Sequence, residues 1–306
     1  MGLRYLLGRL FIMIPVFFTV VTIVFFMIRF APGGPFDSDK QVPPQILANL
    51  NAKYHLDEPL WRQYARYWGD LLQLDLGPSF KHANRTVNEI IAEAFPVSLE
   101  LGLISLCWAL LIGILAGGIA ALKPNSLFDY IPMSISIFGI CLPTFVVGPV
   151  AALVFGLWLD WLPVAGWNGP QDRILPSLTL GFAYAAYVSR LTRGGLMEIR
   201  TQDFIRTARA KGLSEPKILL KHALRGGILP VVSYMGPALA GIISGALVTE
   251  SIFNIPGLGR FFIQSALNRD YTVVMGTSLL YFSLIFVCNF MVDIVYVLLD
   301  PRVKYD

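Results

Sequence analysis

The chain contains 306 residues, 55% of them hydrophobic, and its mean hydropathy is +0.62. These values exclude an ordinary soluble domain and indicate an integral membrane protein. The net charge of +4 requires no nucleic-acid partner, because the excess of Lys and Arg lies in loops on one predicted side of the membrane. The three cysteines lie inside apolar runs, so we interpret them as packing residues rather than disulfide partners.

The first apolar run, Leu10–Ile28, has 19 residues without a charge. A cleaved signal peptide has a shorter apolar core, and Pro32 close behind the run is a poor cleavage context. The run is long enough to cross a hydrocarbon core of about 30 Å. We therefore expect residues 10–29 to form an uncleaved first span that starts on the cytoplasmic side.

Residues 30–96 are predicted to form a large periplasmic loop that contains short helices, among them Pro59–Leu72. One face of this helix carries Trp61, Tyr64, Ala65, Trp68 and Leu72, and the other carries Arg62, Gln63, Arg66 and Asp70. The aromatic face suits two alternatives. It can lie in the lipid headgroup layer, or it can belong to a small packed subdomain over the channel mouth.

Later apolar runs predict five further spans at residues 97–122, 130–159, 174–193, 230–249 and 271–293. The fourth span is the shortest, since its uncharged part has only 16 residues, and it crosses only if Arg190 and Arg193 extend the helix and snorkel to the surface. The connecting segments are 1–9, 123–129, 194–229 and 294–306 on the cytoplasmic side, and 160–173 and 250–270 on the periplasmic side. Residues 97–293 are predicted to be the conducting core.

Charge distribution sets the predicted orientation. The cytoplasmic segments of this topology, counted together with Arg190 and Arg193 at the inner end of the fourth span, hold 14 Lys and Arg residues, whereas the two short periplasmic loops hold three. Positive residues are retained on the cytoplasmic side, so both termini are expected there.

Nine of the 14 lie between Arg190 and Arg225, which we call the basic segment. Its sequence contains residues that favour helix starts and helix ends. Asp203 is expected to cap a short helix, and Gly212 is expected to end it in the left-handed conformation. Ser214 then caps a second helix that tolerates Pro216 in its first turn.

Several stretches resemble the peptide/nickel permease family of binding-protein-dependent ABC importers, whose cytoplasmic loop is known as the EAA loop. The matching residues are Arg206-Thr207-Ala208-Arg209-Ala210-Lys211-Gly212-Leu213-Ser214, His222-Ala223-Leu224-Arg225, Leu229-Pro230, Tyr54–Leu60, Asp75–Phe80, Val292–Tyr296 and Asp300-Pro301-Arg302. The loop departs from the family pattern in two places: Arg206-Thr207-Ala208 replaces Glu-Ala-Ala, and Gly226 replaces the usual Asn.

The resemblance implies an all-α polytopic membrane protein with six transmembrane helices, the transmembrane subunit of a type I ABC importer, in the bacterial inner membrane. It implies a homologous second permease, two cytoplasmic ATPase subunits and a periplasmic or lipid-anchored peptide-binding protein as partners. The resemblance also implies that the transported substrate is a peptide and that the chain contacts membrane lipid. It implies no nucleic-acid partner.

The resemblance also implies two functional surfaces. A coupling helix that docks on the ATPase would comprise Phe204, Arg206, Thr207, Ala208, Arg209, Ala210, Lys211, Gly212 and Leu213. We expect Phe204, Ala208 and Leu213 to enter the ATPase cleft, with the cations setting orientation. A loop toward the binding protein or gate would comprise Asn254, Pro256, Gly257, Leu258 and Gly259.

The sequence lacks the common short motifs for nucleotide binding, zinc-dependent hydrolysis and serine hydrolysis. It contains no GxxxxGK[ST] phosphate loop, no HExxH and no GxSxG. Glu100, Glu250 and Asp293 lie near predicted span ends, and among them Glu100 is the one candidate for ion coupling, with an interfacial role favoured. The pathway walls are expected to be uncharged, built from aliphatic, Ser/Thr and backbone groups. We therefore predict no catalytic or metal site and no cofactor in this chain, with ATP and Mg in the partner ATPases.

The prediction is a permease subunit of an ATP-driven oligopeptide importer that forms half of the translocation pathway. Within the same family, dipeptides, nickel chelates or glutathione are alternative cargoes. The alternative from another class is a stand-alone, ion-coupled secondary transporter.

Overall fold

The structure, a computed structural model, describes residues 2–31, 33–36 and 44–299. Pro32 and the tail motif Asp300-Pro301-Arg302 lie outside the described residues. The described α-helices are α1 (Gly2–Phe30), α2 (Pro44–Lys53), α3 (Leu60–Leu72), α4 (Val87–Leu122), α5 (Leu127–Cys141), α6 (Thr144–Ala151), α7 (Ile174–Ile199), α8 (Asp203–Ala210), α9 (Glu215–Ile218), α10 (Leu224–Gly227), α11 (Leu229–Ile252), α12 (Leu258–Leu267) and α13 (Tyr271–Leu299). Wider π-turns occupy Ala152–Trp158 and Leu219–Ala223, and a 3-10 turn occupies Gln171–Arg173.

Three described helices are both long and apolar enough to cross a membrane, at Gly8–Phe30, Val87–Leu122 and Tyr271–Met291, and two bent helix pairs raise the number of candidates to five. The predicted fourth span, 174–193, is one continuous helix that runs past Arg193 to Ile199, which agrees with the expectation that arginines extend it. Helix α4 starts earlier than expected because Thr86 and Glu89 form a capping box at its first turn.

The predicted third span, 130–159, is not one helix. Helices α5 and α6 meet at an angle of 110°. Leu142 is extended (φ −85°, ψ 122°), as is Pro143 after it. A proline ring disfavours the helical conformation of the preceding residue, and that local constraint produces the bend.

The aromatic helix α3 packs on α1. The Trp68 ring stacks on Phe18 with centroids 5.0 Å apart, and the Tyr64 hydroxyl lies 2.7 Å from Thr22 Oγ1. The buried side also includes Gln63, which accepts a hydrogen bond of 2.9 Å from Arg29 Nε. Both predicted alternatives therefore remain for this helix: Tyr64 and Trp68 pack on α1, whereas Trp61, Ala65 and Leu72 of the same face are exposed. Gln63, which the sequence places on the opposite polar face, is buried.

Glycines bring α4 and α7 into contact. These two helices share the most extensive interface among the described elements. A Cβ atom at Gly117 of α4 would lie 2.4 Å from the Ser189 carbonyl oxygen, and one at Gly181 of α7 would lie 2.7 Å from that of Ser105. Only glycine permits this backbone approach. Gly118, next in the chain, has open space around it.

We expect Gly117→Ala to destabilise the protein by about 1–3 kcal/mol, because the new methyl group collides with backbone that cannot retreat. Gly118→Ala is the matched control and should be neutral or slightly stabilising, since alanine favours helix and meets no neighbour. Thermal unfolding of the two variants in detergent measures the difference. Equal melting temperatures would contradict the close contact.

Candidate functional site

In the basic segment, the end of α7 is followed by two short helices, α8 and α9, which are joined by a tight turn. Gln202, not Asp203, occupies the cap position of α8, and Asp203 lies in the first turn, where its charge favours the helix N-terminus. Gly212 has φ +76°, the left-handed conformation that the sequence predicted for it. Helix α9 begins directly after Ser214, with Pro216 in its first turn.

Helix α8 has one buried and one exposed face. Ile205 and Ala208 are buried against Ala121, Leu196 and Ile218, and Leu213 packs against the same cluster. The exposed side chains are those of Asp203, Phe204, Arg206, Thr207, Arg209, Ala210 and Lys211. Phe204 is the large apolar side chain on this surface, and it is 50% exposed.

This packing corrects the expectation that Ala208 and Leu213 enter a partner's cleft. Both side chains are used to hold α8 on the chain's own helices, and Phe204 is left as the apolar member of the predicted trio at the surface.

Glu215 links the two helices through a pair of arginines. Its Oε1 accepts a hydrogen bond of 2.5 Å from Arg209 Nε, and its Oε2 lies 3.3 Å from Arg200 Nη2. Arg200 also donates to the Ala121 carbonyl at the end of α4. The hydrogen bond from Arg209 lowers the pKa of the Glu215 carboxyl below its ordinary value, and the same bond raises the pKa of Arg209. Arg209 therefore stabilises the basic segment by joining α8 to α9.

We expect Glu215→Gln to loosen the basic segment, because two arginines lose their common carboxylate. Glu215 and Arg209 are both partly exposed, so solvent screening limits the cost to about 1 kcal/mol or less. Limited trypsin digestion should therefore cut this segment severalfold faster than in the parent. Glu198→Gln, in the same region and exposed, is the control and should leave digestion unchanged. If the Glu215 variant is cleaved at the parent's rate, the Glu215 ion pairs do not stabilise the basic segment.

The same ion pair gives a dependence on pH. A carboxyl whose pKa is depressed by folding stabilises the folded state above its unfolded pKa, and this contribution is lost as the pH falls through the folded value. The Glu215 contribution should therefore be complete at neutral pH and disappear only below its ordinary pKa of about 4.5. The difference in melting temperature between the parent and Glu215→Gln should therefore vanish in that acidic range.

The loop between α11 and α12 is anchored by a buried carboxylate. Glu250 is fully buried and accepts hydrogen bonds from Ser98 Oγ (2.6 Å) and from the backbone N–H groups of Gly259 (2.7 Å) and Arg260 (3.2 Å). Ser98 in turn accepts from the Leu258 N–H at 2.8 Å. Glu250 thus supplies the first turn of α12 with acceptors from another helix.

The predicted gate loop is only partly available to a partner. Asn254, with φ +54°, and Pro256 are exposed, whereas Gly257, Leu258 and Gly259 are buried. The glycines are required because a Cβ atom at Gly257 would lie 2.4 Å from the Glu250 carboxylate. The expectation of surface contacts by these three residues is therefore corrected.

The structural role of Glu250 is not predicted from the sequence, which indicates only a charge near a span end and leaves Glu100 as the candidate for ion coupling. The available signal was the position of Glu250, at the end of an apolar run and a few residues before Pro256-Gly257-Leu258-Gly259. A carboxylate there can satisfy the unpaired N–H groups of a following helix.

We expect Ser98→Ala to destabilise the protein by about 1–3 kcal/mol, because the buried Leu258 N–H loses its acceptor and Glu250 loses a donor. Ser251→Ala is the control, since this hydroxyl is exposed and bonds only to its own helix at Leu247. The comparison is again made by thermal unfolding. A Ser98 variant as stable as the Ser251 variant would show that the anchor contributes nothing.

Two further acidic groups near the spans are paired with arginine. Glu100 Oε1 accepts from Arg173 Nε at 2.6 Å, in a partly exposed position that agrees with an interfacial role. Asp129 is buried and binds Arg193 through both oxygens, at 2.5 and 2.7 Å, which ties the start of α5 to α7. Across the described part of the chain, no three His, Cys, Asp or Glu side chains are grouped so as to hold a metal ion.

Solved structures define the class of protein. The chain superposes on the MetNI methionine ABC transporter in an inward-facing conformation with a TM-score of 0.60 and 16% identity, covering 69% of this chain and 96% of that one. An amino acid ABC transporter with histidines gives a TM-score of 0.52 at 16% identity, over 68% and 93% of the two chains. The fold is that of the transmembrane subunit of a type I ABC importer, which confirms the predicted fold class.

Sequence relatives define the family. The model of the family described as binding-protein-dependent transport system inner membrane component matches residues 110–305. The chain is 47% identical to the oligopeptide transport system permease protein OppB of Haemophilus influenzae, over 99% of this chain and 100% of the relative. It is 46% identical to OppB of Salmonella typhimurium with the same coverage, and 40% identical to the dipeptide transport system permease protein DppB of Bacillus subtilis over 98% of both chains. The protein belongs to the family of binding-protein-dependent transport system inner membrane components.

Proposed function

We propose that this chain is a permease subunit of an ATP-driven oligopeptide importer of the bacterial inner membrane. It would form half of the translocation pathway together with a homologous second permease. Two ATPase subunits would hold ATP and Mg and drive the cycle, and a periplasmic or lipid-anchored protein would deliver peptide. The observation that carries the proposal is the match at 46–47% identity, over nearly the full length of both chains, to permeases named for oligopeptide transport.

The exposed face of α8 supports a docking role toward an ATPase. An exposed phenylalanine among cations is a common anchor at protein interfaces, where aromatic residues and arginine dominate binding energy. Phe204 is held at this surface because Ile205 and Ala208 fix the opposite face of the helix. Arg209 is engaged by Glu215, whereas Arg206 and Lys211 are exposed and can orient a partner, with Arg206 in a solvent-exposed ion pair of 3.5 Å to Asp203.

The engaged carboxylates disfavour the alternative of an ion-coupled carrier. Such a carrier normally needs an intramembrane acidic group that binds and releases a cation. Glu100 and Asp129 are each paired with arginine, and Glu250 is committed to Ser98 and the first turn of α12. Dipeptides are a weaker alternative cargo, because the dipeptide permease relative is 40% identical, less than the oligopeptide permeases.

The decisive test is uptake by the complete importer in proteoliposomes. We expect a radiolabelled oligopeptide to accumulate only when the second permease, both ATPases, the binding protein and ATP are all present. Uptake that survives removal of the ATPases and collapses with the proton gradient would overturn the proposal in favour of a secondary carrier.

We expect Phe204→Ala to weaken ATPase binding by about 2 kcal/mol, which corresponds to a roughly thirtyfold rise in Kd. The loss follows from removing the apolar anchor of α8. Leu74→Ala is the control, since Leu74 is 78% exposed and lies in the predicted periplasmic loop. Binding of the purified ATPase to immobilised permease gives the two Kd values. If the Phe204→Ala and Leu74→Ala variants bind the ATPase with equal Kd values, α8 is not part of the docking surface.

A further inference from the structure

Three tyrosines surround a cavity where α6, α7 and α11 meet. The cavity has a volume of about 510 Å³ and is lined by Tyr184 and Tyr187 of α7, by Tyr234 and Pro237 of α11, and by Thr144 at the start of α6. Its volume falls within the range of roughly 300–1,000 Å³ that is usual for small-ligand sites. We call it the tyrosine cavity.

The bend between α5 and α6 and a glycine of α11 make room for this lining. Thr144 stands directly after the 110° bend at Leu142 and Pro143. The Tyr184 hydroxyl lies against Gly241, where a Cβ atom would be only 2.7 Å away. The Tyr187 and Tyr234 rings lie 5.7 Å apart at an angle of 37°, and Tyr187 is 43% exposed.

The tyrosines lie toward the cytoplasmic ends of the predicted spans. Tyr187 is six residues before Arg193, about 9 Å along the helix axis at 1.5 Å per residue, and Tyr234 is five residues after the first residue of α11, about 8 Å. Tyrosines in membrane proteins usually collect near the interfaces, where the hydroxyl reaches water. A phenol hydroxyl placed in hydrocarbon without a partner is costly. The cavity is therefore suited to water or a polar occupant that enters or leaves on the cytoplasmic side.

The lining also distinguishes this cavity from its neighbour. A second cavity of about 440 Å³, between α4, α6 and α7, is lined almost wholly by apolar side chains such as Trp108, Ile112 and Phe155. No charged side chain is among the described residues that line the tyrosine cavity. It offers hydroxyl groups that both donate and accept hydrogen bonds, together with flat aromatic faces.

We infer that the tyrosine cavity is a transient binding site for the backbone of a peptide in transit, with Tyr187 and Tyr234 as its contacts. The inference rests on the proposed function. Peptide bonds are planar, uncharged and present in every peptide, and they match hydroxyl groups and ring faces. A site that recognises peptide bonds can bind peptides whatever their side chains are. It would add tyrosine hydroxyl groups and rings to the aliphatic and Ser/Thr groups expected along the pathway, which the cavity also contains in Leu180, Ala183 and Thr144.

Removal of single hydroxyl groups tests the contacts. We expect Tyr187→Phe and Tyr234→Phe each to lower the rate of tri-alanine uptake by the reconstituted importer about threefold to tenfold, the value of one or two neutral hydrogen bonds. Stimulation of ATP hydrolysis by the loaded binding protein should stay unchanged, because docking is untouched. Tyr130→Phe is the matched control, since Tyr130 is 59% exposed on α5 and does not line the cavity. Uptake rates equal to that of this control would overturn the inference.

Photo-crosslinking identifies the occupant directly. Benzoylphenylalanine is placed at position 187 or at position 130, and the complete importer is irradiated during uptake of radiolabelled tri-alanine. We expect label to attach at position 187 only, and only with ATP and binding protein. Crosslinking of position 187 to the second permease or to lipid alone, in an importer that transports tri-alanine, would overturn the site and leave the proposed function standing. An importer that cannot transport any oligopeptide would overturn both.

Discussion

The contact between α4 and α7 is the constraint on which the remaining structure depends. Gly117 and Gly181 let the two backbones meet, and no larger residue fits at either point. Helix α7 then serves as the common support: Arg173 precedes it, the tyrosine cavity opens at its middle, and the basic segment follows its far end. Hydrophobic attraction between helices is weak in lipid, so such close backbone packing supplies much of the association.

Charged groups near the spans follow a second constraint, which is that an unpaired charge is expensive beside hydrocarbon. Asp129 is neutralised by Arg193, and Glu250 is surrounded by donors from Ser98 and the first turn of α12. These groups bind helices to one another. Because they are already satisfied, they are poorly suited to pick up and release ions, and the energy for movement is more naturally supplied through another subunit.

Helix α8 of the basic segment is fixed to the rest of the chain by packing and by ion pairs. Ile205 and Ala208 bury one face of α8 against the ends of α4 and α7, and Glu215 holds Arg209 and Arg200 together across the turn. The proposed docking of an ATPase on the outer face of α8 would therefore act on α7 through these contacts. Helix α7 also borders the tyrosine cavity, so the proposed docking surface and the proposed binding site share one helix.

The sequence by itself determined what depends on local chemistry. Apolar run length predicted the helices, arginines extended the fourth span, and the left-handed turn required Gly212. Tertiary structure decided which side of each helix is covered. Ala208 turned inward and Gln63 was buried, because in a membrane protein an apolar face can meet lipid, a partner or the chain's own helices with similar gain. Glu250 acquired its role only when folding brought Ser98, 152 positions away in the chain, within 2.6 Å of its carboxylate.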